Sequence, residues 1–166
     1  DRLRSRGLGD VYKRQLIMVG GNDWSSAERW IEQSDTLKFL KDPANNLAFE
    51  AHVYFDKDAS GTYKYSYEEE ECYPEKGIDR VKPFVEWIKQ NKFHGFIGEY
   101  GIPDNDPRWN ETLDLFLGYL QENGINGTYW AAGPWWDTYF MAITPKDGKD
   151  RPQMPIIEKY TSTLKK

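Results

Sequence analysis

The strongest constraint on this chain is a scheme that recurs four times: a short apolar run ends in glycine or polar residues, a loop follows, and an amphipathic helix returns. Each recurrence reads as a βα unit, and successive units build a parallel sheet covered by helices. The first run is Leu16 to Val19, closing in Gly20-Gly21-Asn22-Asp23-Trp24. A helix is expected after it over Ser26 to Phe39, turning Trp30, Ile31, Leu37 and the adjoining Leu40 toward a core. The second run is Asn46 to Tyr54, followed by a long polar loop to Gly77. Ile78, Val81, Val85 and Ile88 then keep helical spacing, with Asp79 as the expected cap and Phe84 and Trp87 as core rings. The third run, Gly95 to Glu99, leads to a helix carrying Trp109, Leu113, Phe116, Leu117 and Leu120, which Gly124 ends. The fourth, Gly127 to Ala131, opens into Ala132-Gly133-Pro134-Trp135-Trp136, and a last helix is expected near Met154 to Leu164.

Four units are half of a (β/α)8 barrel, which takes roughly 250 residues. The fold class is therefore α/β, about half of a TIM barrel. Residues 1 to 14 are basic and without sustained periodicity, unlike the acidic, aromatic remainder. They read as a non-native or disordered segment, which leaves 15–166 as a partial catalytic domain.

Bulk chemistry narrows the function. A formal charge of -5 disfavours nucleic acid and anionic membrane as partners, since both reward a basic face. One cysteine and two histidines, His52 and His94, exclude an intrachain disulfide and make a metal centre a poor expectation. No apolar run is long enough to span a bilayer. Aromatic residues make up 16% of the chain, and Trp24, Trp130, Trp135 and Trp136 stand beside Gly, Asn and Asp rather than in apolar runs. Such rings offer platforms for the C–H faces of sugars, whose hydroxyls want Asn, Asp and Glu partners.

In a barrel of this kind the active site lies where strands end and βα loops begin. The residues there are Asn22 and Trp24, His52 and Tyr54, Glu99, and Trp130. Glu99 ends an apolar strand between Gly98 and Gly101, glycines that let a bulky ligand approach. His52 and Tyr54 stand two apart and so share one face of a strand. Tyr54 is placed to hold a carboxylate ionised and oriented. Glu50 shares that face one step deeper, which suits a buried, hydrogen-bonded residue better than a second catalytic acid.

The stretches FEAHVYFD, FIGEYGIPDNDPRW and GTYWAAGPWW resemble strands six, seven and eight of glycoside hydrolase family 5, nearest to its endo-β-1,4-glucanases, and LIMVGGNDWSSA resembles strand five. The resemblance covers about residues 15 to 160 and implies the C-terminal half of the barrel. It implies Glu99 as nucleophile, His52 and Tyr54 as the pair on strand six, Trp130 as the ring under the reacting sugar and Trp24 on the leaving-group side. It also implies a retaining hydrolase of β-1,4-glucan, secreted in its full-length form, that needs no cofactor. The family's acid/base glutamate sits in an Asn-Glu-Pro motif ending strand four, and Asn110-Glu111-Thr112 at a helix start is no counterpart. The expected partners are therefore a polysaccharide and the N-terminal half of the barrel, without which the fragment should be nearly inactive and should associate through its open edges. Hydrolysis of another β-glycan such as mannan is the alternative activity. A non-catalytic carbohydrate-binding protein is the alternative class, though such modules are usually β-sandwiches without βα alternation. A flavodoxin-like domain would need a phosphate loop that is absent from the sequence.

Overall fold

The computed structural model describes residues 15–136 and 138–161. Strands β1 (Ile17–Gly20), β2 (Leu47–Tyr54), β3 (His94–Gly101) and β4 (Asn126–Tyr129) form one sheet in that order, and every neighbouring pair is parallel. The connections carry helices α1 (Trp30–Ser34), α2 (Lys76–Asn91) and α3 (Arg108–Glu122), and α4 (Met154–Tyr160) follows the last strand. Consecutive parallel neighbours joined by helical crossovers make a barrel wall. Four of them make half of one.

The core lies between the sheet and its helices. On β2, Phe49, Ala51 and Val53 are buried, and they alternate with Glu50 and His52 on the opposite, inner face. Trp30, Phe49, Phe84 and Trp87 pack edge to face, with Trp30 4.7 Å from Phe84 and Phe49 5.0 Å from Trp87 between ring centroids. Each such ring contributes roughly 1.5–3 kcal/mol through burial. Phe84 and Trp87 are thus the core rings their spacing implies. Gly124, at φ +65°, follows the end of α3 and bonds back to the Gln121 carbonyl.

The first crossover departs from expectation. No continuous helix spans Ser26 to Phe39, because Ser26 bridges to His52 and Ala27 N–H donates to the His52 carbonyl at 3.1 Å. The chain stays extended there, α1 starts only at Trp30, and a 3-10 turn takes over at Asp35–Phe39. Trp30 is buried as expected, but Ile31 and Leu40 are 49% and 45% exposed. Asp79 does not cap α2, which starts three residues earlier; its carboxylate instead accepts from the Tyr73 hydroxyl at 2.8 Å. The final helix ends at Tyr160, and the expected extension to Leu164, like residues 1 to 14, lies outside the described residues. Asn110 and Glu111 fall in the first turns of α3, as their reading as a helix start requires. Among the described residues, no helix is long and apolar enough to cross a membrane.

Candidate active site

Strict alternation along β3 would bury Glu99. Ile97 and Tyr100 both face the helices, 0% and 6% exposed, although they are three residues apart. A bulge reconciles them: the register runs from Ala51 opposite Ile97 to His52 opposite Glu99 and skips Gly98. The extra residue turns the next side chain to the inner face, which is how bulges re-aim residues at barrel rims. Glu99 thereby joins Glu50, His52 and Tyr54.

Three of these groups meet at one atom. The Tyr54 hydroxyl donates to Glu99 Oε2 at 2.8 Å, and His52 Nδ1 lies 3.6 Å from the same oxygen. The other ring nitrogen, Nε2, is 2.6 Å from Glu50 Oε1. Burial pushes the Tyr54 phenol upward, reinforced by its hydrogen bond to Glu99 and by that carboxylate's charge, so it stays a proton donor across the physiological range. For His52, burial works against the charged ring. The hydrogen bond to Glu50 and the charges of Glu50 and Glu99 outweigh it, and the imidazole is raised above its ordinary value.

The glycines around Glu99 serve these groups rather than a ligand. A Cβ on Gly98 would stand 1.7 Å from Glu50 Oε1, so the space at Gly98 is filled by the Glu50 carboxylate, which corrects the expectation of ligand approach there. A Cβ on Gly101 would meet the Trp130 carbonyl oxygen at 2.4 Å. That absence lets the backbone of Trp130, whose N–H donates to the Tyr100 carbonyl at 2.8 Å, run close over the end of β3.

Beside Glu99 opens a cavity of about 390 Å³ lined by Trp24, Arg29, His52, Tyr54, Asp58 and Glu99, among others. Trp24 is 87% exposed and sits in a turn where Asp23, Trp24 and Ser25 all have left-handed φ, 53°, 49° and 60°. Left-handed backbone at non-glycine residues costs roughly 1–2 kcal/mol each. The turn is braced by Ser25, whose hydroxyl accepts from Gly21 N–H at 2.7 Å and donates to the Glu50 carbonyl at 2.5 Å, and by the Asp23–Arg29 ion pair. Asn22 is not part of the cavity wall. Its side-chain amide donates to the Gln33 carbonyl at 2.7 Å, and its own N–H donates to Ser34.

On the other side, Trp130 packs on Trp136 at 5.0 Å and Trp136 on Tyr139 at 5.0 Å. Burial raises the Tyr139 phenol, the Trp130 indole works against that rise, and the Glu99 charge adds to it. Trp135 is 92% exposed on the same short turn. The structure thus brings Trp24, His52, Tyr54 and Glu99 to one cavity and gathers Trp130 and Trp136 into a ring cluster beside it. Tyr139, Ser25 and Arg29 were not foreseen: they stand outside the strand-end pattern, and only the general richness in rings pointed to Tyr139. Among the described residues no group of three His, Cys, Asp or Glu side chains is arranged to hold a metal ion.

The family model "Cellulase (glycosyl hydrolase family 5)" matches residues 3–135, which include all four strands. The probable endo-β-1,4-glucanase B of Aspergillus kawachii is 38% identical over 151 residues, covering 88% of this chain and 43% of that protein. Endo-β-1,4-glucanase B of Aspergillus niger is 36% identical over 159 residues, covering 93% of this chain and 46% of the relative. Among solved structures, Pseudomonas stutzeri endoglucanase Cel5A in complex with cellobiose is 45% identical with a TM-score of 0.79, covering 87% of this chain and 44% of that one. XacCel5A in complex with cellopentaose is 39% identical with a TM-score of 0.78, covering 88% and 48%. The chain spans just under half the length of these relatives. With the family model matched across the whole sheet, the chain belongs to glycosyl hydrolase family 5, the cellulases, and contains half of the family's barrel.

Proposed function

We propose that this chain carries the nucleophile half of a retaining β-1,4-glucan hydrolase, with Glu99 as the attacking carboxylate. The observation that carries this reading is the convergence of Tyr54 and His52 on Glu99 Oε2 at the wall of a cavity faced by Trp24. A carboxylate that accepts from a phenol and faces an imidazole is oriented, as a nucleophile must be. Relatives named endo-β-1,4-glucanase, and neighbours solved with cellobiose and cellopentaose, support a β-1,4-linked glucan as substrate. Such a polymer places the full-length enzyme outside the cell.

In the first step a Glu99 oxygen bonds the anomeric carbon while the glycosidic C–O bond breaks, and the leaving oxygen takes a proton from a second carboxyl about 5–5.5 Å away. In the second step that group removes a proton from water, which attacks the anomeric carbon and frees Glu99. Glu50 is not this second group, because its Oε1 is committed to His52 and its carboxylate lies in the slot left by Gly98. The acid/base belongs to the barrel half outside this chain. Trp24 and Trp130 stack sugar rings, and Trp135 and Trp136 extend that surface.

An activated fluoro-cellobioside with a dinitrophenolate leaving group tests the nucleophile directly, because such a leaving group departs without acid assistance. The glycosyl ester should appear on the peptide containing Glu99 by mass spectrometry and vanish in Glu99→Gln. An ester on any other carboxylate rejects the assignment. For turnover, the chain is fused behind the first four βα units of the Pseudomonas stutzeri relative and assayed on soluble cellulose and on mannan. Faster hydrolysis of mannan would reject the glucan.

A further inference from the structure

Glu50 lies on the inner face one step below His52 and takes no part in the chemistry above. Its place is nevertheless built. Gly98 on one flanking strand gives up its side-chain volume to Oε1, Gly20 on the other would approach Oε2 at 3.4 Å if it had a Cβ, and the Ser25 hydroxyl is 3.4 Å from Oε2. From this slot Oε1 grips His52 Nε2 at 2.6 Å, and the opposite nitrogen of the ring then faces Glu99.

We propose that Glu50 is a positioning residue: by holding His52 at Nε2 it aims Nδ1 at the Glu99 oxygen that Tyr54 also holds. A carboxylate at Nε2 also favours the charged form of the ring. The catalytic consequence rests on Glu99 being the nucleophile; the geometric claim does not. The charged and titratable groups around His52 are Glu50 and Tyr54 on its own strand, Glu99 on β3, and Asp23, Glu28, Arg29, Asp58 and Arg80 around the cavity. Burial opposes the charged ring, and the hydrogen bond and charge of Glu50 are the leading influences that overcome it. Without them only Glu99 opposes burial, so the ring should lose its proton at lower pH.

The sequence contains two histidines, so His94→Gln leaves His52 as the single imidazole signal in 15N-histidine-labelled protein. In that background His52 should be more than half protonated at pH 6.5, the ordinary midpoint. Glu50→Gln should move its titration down by about one pH unit, a tenfold loss of proton affinity. Gly98→Ala, which crowds Oε1, should shift it the same way while keeping Glu50. In the eight-strand fusion Glu50→Gln should lower kcat about tenfold and leave KM within about twofold, the pattern of an interaction made in the transition state. An unmoved His52 titration in Glu50→Gln, or a ring mostly neutral at pH 6.5 before any change at Glu50, overturns the proposal. The second measurement decides even if the variants do not fold. Should Glu99→Gln remain active while His52 still follows Glu50, the nucleophile reading fails and the positioning stands.

Discussion

Tyr63→Phe should unfold this protein more easily by about 2–6 kcal/mol, and the figure follows from two backbone groups. The Tyr63 hydroxyl, on a residue only 8% exposed, donates to the Gly101 carbonyl at 2.6 Å and accepts from Phe55 N–H at 2.9 Å. It ties the residue after Tyr54 to the end of the strand that bears Glu99. Phenylalanine preserves the ring and its edge contact with Trp109, whose centroid is 5.0 Å away, so packing changes little. What is lost is one partner for a buried donor and one for a buried acceptor, at about 1–3 kcal/mol each. Against a total stability of about 5–15 kcal/mol, that loss is large. Urea unfolding followed by tryptophan fluorescence should show a lowered midpoint with an unchanged slope. Tyr65→Phe is the control, since Tyr65 is 60% exposed and should stay within about 0.5 kcal/mol of the parent. A Tyr63→Phe variant as stable as that control would refute the claim that this hydroxyl fastens the two strand ends.

Other outcomes follow from the site and the sheet edges. In the fused enzyme, Tyr54→Phe removes a charge-assisted hydrogen bond worth about 1.5–3 kcal/mol, so kcat on soluble cellulose should fall about tenfold to a hundredfold. Trp24→Ala should raise KM and leave both kcat and the unfolding midpoint nearly intact, because the ring is exposed and moves no proton; a loss confined to kcat contradicts the platform role. His52 is raised above its ordinary value, so its charged form adds stability that is complete below about pH 6.5 and is lost as pH climbs through the folded value. The stability difference between parent and His52→Gln should therefore shrink from pH 6 to pH 8 by about 1 kcal/mol or less, and growth over that range would reverse the sign. The edge strand β1 and the residue before it expose Leu16, Ile17 and Met18 by 62%, 42% and 41%, so the isolated chain should scatter light as dimers or larger species, and Leu16→Lys with Met18→Lys should reduce its mass toward that of a monomer.

The βα alternation was legible because burial on the helix-covered face imposes a period that composition alone can display. Phe49, Ala51 and Val53, set against Glu50, His52 and Tyr54, announce β2 without any tertiary information. The first crossover was not legible for the same reason inverted. Its helical spacing through Trp30, Ile31 and Leu37 is real, but Ala27 spends its N–H on the His52 carbonyl, a partner in another strand. Asp79 had the chemistry of a cap, and the hydroxyl of Tyr73, six residues back, claimed its carboxylate.

At the site, the residue types were readable and their reasons were not. Period-two reasoning put His52 and Tyr54 on one face, and both do reach Glu99. The same reasoning applied to β3 would send Glu99 into the helices, between Ile97 and Tyr100. Only the bulge at Gly98 brings it inward, and that bulge becomes visible once two strands are paired. Gly98 then does two things at once: as the residue left out of the pairing it turns Glu99 toward the mouth, and as a residue without a side chain it makes the slot for Glu50. A larger residue there would have to displace the carboxylate that holds His52. The Gly-Glu pair at 98 and 99 is therefore better explained by the Glu50-x-His52-x-Tyr54 strand beside it than by the ligand. Reading the two segments together, as facing halves of one constellation, is the step that recovers both the aim of the nucleophile and the part played by Glu50.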